Sequence, residues 1–197
     1  MLAIVLGRKN LRESDQMVSL YTRERGKVEV LAKGIKKITS KNSANLEVLS
    51  LAEIDVAGGK EVEYLTKVQP VKIFKEIFSN FDKIFIARYA VRLADAHILA
   101  QEPDEKIFNL LVSFLEFLNS AAKINSLNLA AGFIFKFWHC LGFGSQEERY
   151  RIWLVGNWQE INELNLTKEI QVKTVEFACQ HAQTHSGRRI ARFVGVC

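Results

Sequence analysis

The sequence predicts an α+β protein, with a small closed antiparallel barrel in residues 1–72 followed by an α-helical bundle domain in residues 73–197. Two observations predict it. Apolar residues recur with a period of two up to Pro70 and with a helical period from Val71 onward. The 197 residues are 48% hydrophobic and 25% charged, a balance that excludes a disordered chain and supplies cores for two small domains.

The strands follow in order. Leu2, Ile4 and Leu6 alternate with Ala3, Val5 and Gly7. After the polar turn Asn10 to Asp15, a second strand runs from Met17 to Thr22 and a third from Lys27 to Lys33. A basic loop, Gly34 to Asn45, leads to a fourth strand from about Leu46 to Val56, whose alternation slips at Leu51 and Ala52 as at a β-bulge. Gly58 and Gly59 turn into a fifth strand, Glu61 to Val68, and Pro70 is expected to end the sheet. Five short strands in this span suit an OB-fold barrel, with an SH3-like barrel as the alternative.

Helices are expected at Asp82 to Gln101, closed by Glu102-Pro103, and at Glu105 to Ser120, where Ile107, Leu110, Leu111, Phe114, Leu115 and Leu118 form one stripe. Asn125 to Leu141 is apolar nearly all round and reads as a central helix. Tyr150 to Ile161 reads as a short hairpin around Gly156-Asn157, and Thr167 N-caps a last helix to Thr184. A basic segment, Gly187 to Arg192, follows.

Net charge is +5, and residues 1–41 alone carry ten basic against four acidic side chains. Such a one-sided segment is the footprint of a polyanion partner, although a solvated basic surface has the same composition. No apolar run reaches the ~20 residues that cross a bilayer, and Met1 to Gly7 lacks the flanks of a signal peptide. Three scattered cysteines (Cys140, Cys179, Cys197) argue against a disulfide framework. A cytoplasmic protein without membrane contact is expected.

Two segments carry a recognisable pattern. One is Ala3-Ile-Val-Leu-Gly-Arg-Lys-Asn, then Glu13-Ser14-Asp15, then Tyr21-Thr-Arg-Glu-Arg-Gly-Lys27. The other is Ala32-Lys-Gly-Ile-Lys-Lys37, followed by Ser40-Lys41 and Leu46-Glu47. Together they resemble the N-terminal barrel of the RecO family of recombination mediators. In the helical half the best landmark is Leu141-Gly142-Phe143. The resemblance implies a nucleoid-associated protein that binds single- and double-stranded DNA and anneals complementary strands without ATP. It also implies help in loading the recombinase on DNA coated by single-strand binding protein. Its implied partners are RecR and the acidic C-terminal tail of that protein. Many members carry a cysteine-rich zinc module after the Leu-Gly-Phe landmark, but Gly144 to Leu166 contains no cysteine, so no zinc and no other cofactor is expected.

DNA binding requires cations for phosphates and flat side chains for bases. The candidates are Arg8, Lys9, Arg23, Arg25, Lys27, Lys33, Lys36, Lys37 and Lys41. Tyr21 and Tyr64 could stack on bases, though a barrel tyrosine is more often structural. Arg88 and Arg92, four apart on one helix face, and the cluster Arg188, Arg189 and Arg192 are candidates for holding an acidic tail with a hydrophobic end.

Other chemistries find little support. Glu13, Asp15 and Glu24 fit turn stabilisation better than metal binding, and Gly58-Gly59-Lys60 lacks P-loop spacing. Cys179, His181 and His185 have helical metal-ligand spacing but no fourth ligand, and His139 and Cys140 lack an acid for nucleophilic chemistry. No enzyme is expected. A protein-interaction adaptor with little DNA affinity and an RNA-binding OB protein remain the competing functions.

Overall fold

The computed structural model describes residues 1–36, 44–59, 62–145 and 147–187. Lys37, Lys41, Arg188, Arg189 and Arg192, and the expected basic segment after Gly187, lie outside the described residues. Packing divides the chain into two compact units. One is Met1–Lys75 with Ala94–Val112, and the other is Glu76–Leu93 with Ser113–Cys197.

The first unit is a closed barrel in the order β1-β2-β3-β5-β4. Its strands are β1 (Leu2–Asn10), β2 (Gln16–Thr22), β3 (Gly26–Ala32), β4 (Leu51–Ala57) and β5 (Glu63–Lys72). The period of two turns Ala3, Val5, Val18, Leu20, Val28, Val30, Ala52, Ile54 and Val68 into one core. The expected bulge is present as a register shift between Leu51 and Ala52, with others between Val5 and Gly7 and between Asp55 and Val56.

Two strand expectations are corrected. The fourth strand starts at Leu51, because Leu46 joins the barrel core from a 3-10 turn (Ala44–Leu46) and Leu49 is buried in the bend after it. Leu49 is held there at φ 82° by its N–H donating to the Val5 carbonyl at 3.0 Å. Pro70 does not end the sheet but pairs with Ala52 inside β5. The contact of β5 with β3 is confined to Val30↔Glu63 and Leu31↔Tyr64, so farther along β5 has a strand on one side only and tolerates a residue without N–H.

A short helix α1 (Lys75–Phe78) leads into three longer ones, α2 (Phe81–His97), α3 (Glu105–Ser120) and α4 (Ser126–Cys140). Asn80 caps α2, its Oδ1 accepting from the Lys83 N–H at 3.1 Å, and Asn125 caps α4 in the same manner. The second helix stops short of the expected Gln101. Ala100 instead forms a bridge with Lys27, and the Gln101 N–H donates to the Lys27 carbonyl at 2.9 Å, which draws residues 100 and 101 onto the edge of β3.

The second unit packs around α4, which touches α5 (Arg151–Val155), α6 (Trp158–Asn162) and α7 (Lys168–Ser186). Its core holds Phe114, Phe133, Phe137 and Ile161, with Phe114 centred 4.9 Å from Phe133 and 4.6 Å from Trp158. Lys136 on α4 donates to the Leu154 carbonyl at 2.6 Å, and burial lowers its pKa below the ordinary lysine value. Thr167 caps α7 as expected, and Gly187 closes it in the left-handed region at φ 65°.

The expected hairpin at 150–161 is not formed; α5 and α6 occupy it. Gly156 has φ −63°, outside the region a type I′ turn demands, and Asn157 is an N-cap. Its side chain accepts from the Glu160 N–H at 2.9 Å while Glu160 accepts from the Asn157 N–H at 2.8 Å, a full capping box. Asn157→Ala should therefore cost about 1 kcal/mol, read from the urea midpoint.

Candidate nucleic-acid interface

The barrel sorts the seven cationic candidates that lie within the described residues into distinct environments. Arg8 shares its row with the core residues Val18 and Val30 and is only 14% exposed. Its Nε donates to Gln16 at 2.8 Å and its guanidinium pairs with Glu47 at 2.9 Å. Arg25 pairs with Glu63 at 3.0 Å. Lys27 pairs with the Asp95 carboxylate at 2.9 Å and also donates to the Asp95 backbone carbonyl. Arg23, on the turn between β2 and β3, lies 3.7 Å from Glu105 and 5.2 Å from the centre of the Phe108 ring.

Lys9, Lys33 and Lys36 are exposed. Lys33 sits over the Tyr64 ring at 4.1 Å, and Lys9 and Lys36 have no carboxylate partner among the described residues. The turn after β1 and the loop that carries Lys33 and Lys36 are tied together. The Lys36 N–H donates to the Ser14 carbonyl at 3.1 Å and the Gly34 N–H to the Asp15 carboxylate at 2.8 Å. The Asp15 carboxylate thus ties its turn to the 33–36 loop. Strand register extends the link, because Lys9, Met17, Leu31 and Tyr64 fall in one row across β1, β2, β3 and β5. Sequence reasoning missed Arg12, which is exposed on the same β1–β2 turn; the one signal available was its place in the basic segment.

Much of the rest of the outward face of β2 and β3 is covered by residues of the same unit, with Glu29 left exposed. Asp95 accepts from the Ser19 hydroxyl at 2.6 Å. Tyr21 is fully buried, and its hydroxyl donates to the Asp104 carbonyl at 3.2 Å while accepting from the Asp104 N–H at 3.1 Å. Its ring stacks on Phe108 at 6.4 Å. Of the two tyrosines, Tyr21 is therefore structural and Tyr64 remains on the surface row. Tyr21→Phe should cost about 1–3 kcal/mol by orphaning the Asp104 N–H, measurable by thermal or urea unfolding. A cavity of about 560 Å³ beside this cover is lined by Met17, Lys27, Val28, Glu29, Val62, Glu63, Ala100 and Gln101. Two carboxylates face its one lysine, which is itself paired, so the cavity does not suit a phosphate chain.

In the second unit Arg88 and Arg92 are both exposed on α2. Phe81 and Phe85 continue their stripe at helical spacing, with Phe81 81% exposed and its ring 6.4 Å from that of Phe85. Sequence reasoning named the arginines without these phenylalanines, although the spacing 81, 85, 88, 92 was there to read. His181 lies 3.2 Å from the Phe143 carbonyl and stacks on Phe177, and Cys179 is buried. Among the described residues no three His, Cys, Asp or Glu side chains gather into a metal-binding group, and no helix is long and apolar enough to cross a membrane.

Residues 1–74 match the family model described as "Recombination protein O N terminal", and residues 79–149 match "Recombination protein O C terminal". The DNA repair protein RecO of Desulforamulus reducens is 29% identical over 192 residues, 97% of this chain and 71% of that protein. Its counterpart in Dehalococcoides mccartyi is 31% identical over 121 residues, 61% of this chain and 48% of that protein. That of Geobacter metallireducens is 32% identical over 124 residues, 63% of this chain and 51% of that protein. The chain thus spans about half the length of the latter two relatives. With the barrel and the helical region each matched in order, the chain belongs to the RecO family of DNA repair and recombination proteins.

Proposed function

We propose that this protein is a non-enzymatic recombination mediator, acting in the cytoplasm on the nucleoid. It binds single- and double-stranded DNA through the barrel, anneals complementary strands without ATP, and assists recombinase loading on DNA coated by single-strand binding protein. RecR is its assembly partner. The observation that carries the reading is the set of exposed cations at the loop end of a RecO-family barrel: Lys33 beside Tyr64, Lys36 on the same loop, and Lys9 near the end of β1. Cations there can neutralise phosphates while the tyrosine offers a face to a base, with little sequence preference. Annealing of two complementary labelled oligonucleotides, followed by fluorescence transfer without nucleotide, tests it. Faster annealing than the spontaneous rate is expected, and a rate equal to the spontaneous one counts against it.

A docking role for the second unit is supported by the Phe81, Phe85, Arg88 and Arg92 stripe. An acidic peptide ending in hydrophobic residues, such as the tail of single-strand binding protein, would set its carboxylates on the arginines and its apolar end on the rings. Arg88→Glu with Arg92→Glu should weaken binding of that tail peptide at least about tenfold, a loss of two charge-assisted contacts. Unchanged peptide affinity in an anisotropy titration would remove this stripe from consideration.

A further inference from the structure

The outer surface of strands 2 and 3, with the adjoining loops, is where OB barrels usually take up oligonucleotides. In this chain that surface is divided. Two rows, Ile4–Tyr21–Lys27 and Gly7–Ser19–Glu29, run across β1, β2 and β3. The first lies under Ala100 to Phe108. Ala100 bridges Lys27, and Tyr21 is sealed by Asp104 and Phe108. The second is held by Asp95, which accepts from Ser19 and stands 3.6 Å from where a Gly7 side chain would begin. In the third row, Lys9–Met17–Leu31–Tyr64, Leu31 is buried and Met17 and Tyr64 are half-buried, while Lys9 and the loops beyond carry exposed cations.

We infer that the chain's own residues 95–108 permanently occupy most of the β2–β3 face. The DNA backbone is therefore confined to the loop end of the barrel, where Arg12 is an additional phosphate-binding residue. The inference rests on the DNA-binding function proposed above and narrows it. Arg23 and Lys27 hold the cover, and Arg25 holds Glu63 on β5, rather than the DNA. Each is already matched by a carboxylate (Glu105, Glu63 and Asp95), so a phosphate would have to displace an internal partner to reach them. Arg12, Lys9 and Lys36 have no such partner among the described residues, and the hydrogen bonds between the 10–15 turn and the 33–36 loop fix them to one end. The Glu29 carboxylate at the neighbouring cavity repels a backbone straying toward the cover.

The test compares salt dependence, which counts phosphate contacts. Binding of a fluorescein-labelled oligothymidine to the full chain is titrated across a salt series for wild type, Lys9→Ala/Arg12→Ala/Lys36→Ala and Arg23→Ala/Arg25→Ala. The slope of log affinity against log salt should become shallower by about 0.7 per cation lost in the first variant. It should stay at the wild-type value in the second. A slope that drops in the Arg23/Arg25 variant, or stays unchanged in the Lys9/Arg12/Lys36 variant, overturns the inference while leaving DNA binding standing. A wild type without salt-dependent binding refutes the DNA-binding function itself and takes the inference with it. Thermal melts accompany each variant, and Arg23→Gln alone replaces the double variant if that one is unfolded.

Discussion

Replacing Gly26 with alanine should destabilise the protein by at least about 3 kcal/mol, more than the ordinary range for a single substitution in a turn. Gly26 opens β3 at φ 67°, a conformation that costs an L side chain about 1–2 kcal/mol. A Cβ there would also stand 2.3 Å from the Glu102 carbonyl oxygen and 2.7 Å from the Pro103 nitrogen. These are backbone atoms that no rotamer change can move aside. Relief requires the 100–104 segment to lift, which gives up the Gln101 to Lys27 hydrogen bond and the pair of bonds between Tyr21 and Asp104. Gly58 supplies the control, since it has negative φ and nothing within 4 Å of its would-be Cβ. Gly58→Ala should change stability by no more than about 0.5 kcal/mol. Urea denaturation of the two variants checks the difference, and equal midpoints would contradict it.

The largest functional effect is expected from reversing charge at Lys33 and Lys36. The pair Lys33→Glu and Lys36→Glu replaces two exposed cations by anions at the loop end of the barrel and removes the ammonium above Tyr64. Single-stranded oligonucleotide affinity at low salt should fall by about two orders of magnitude, as two phosphate contacts become two repulsions. Both side chains lie on the surface, so the thermal midpoint should move little. Gel-shift titration beside a melt separates the two effects. Full affinity in a folded double variant would place the contact elsewhere.

Much of the fold was legible because it is written in periodicity and local capping. Glu105–Ser120 agrees residue for residue with its apolar stripe, and the Thr167 cap and the Leu51/Ala52 bulge were read correctly. The misreadings have a common physical origin. Gly156-Asn157 carries the composition of a hairpin turn, but Glu160 three residues on makes the same asparagine a helix cap, and neither dipeptide nor alternation distinguishes the two. Leu46 and Leu49 are apolar because both are buried outside any strand, a role that mimics strand alternation. Helix α2 had the propensity to continue, and β3 captured residues 100 and 101 instead.

The candidate site was legible as a basic segment but not as a surface. Nothing local tells Lys27 from Lys33. The difference lies in Asp95, 68 residues away, which pairs with one and not the other. Arg8 and Arg25 are likewise claimed by Glu47 and Glu63, 39 and 38 residues distant. Long-range pairing of this kind appears in no sequence window, and it is what divides the structural cations from the exposed ones.

The central claim, that the loop end of the barrel is a DNA-backbone site, is tested most directly by the affinity of the wild-type protein for a labelled single strand over a series of salt concentrations. A linear fall of log affinity with log salt, with a slope of about −2 to −3 for the three or four cations of the open end, is the predicted result. Affinity that is flat with salt, or absent at low salt, would contradict it.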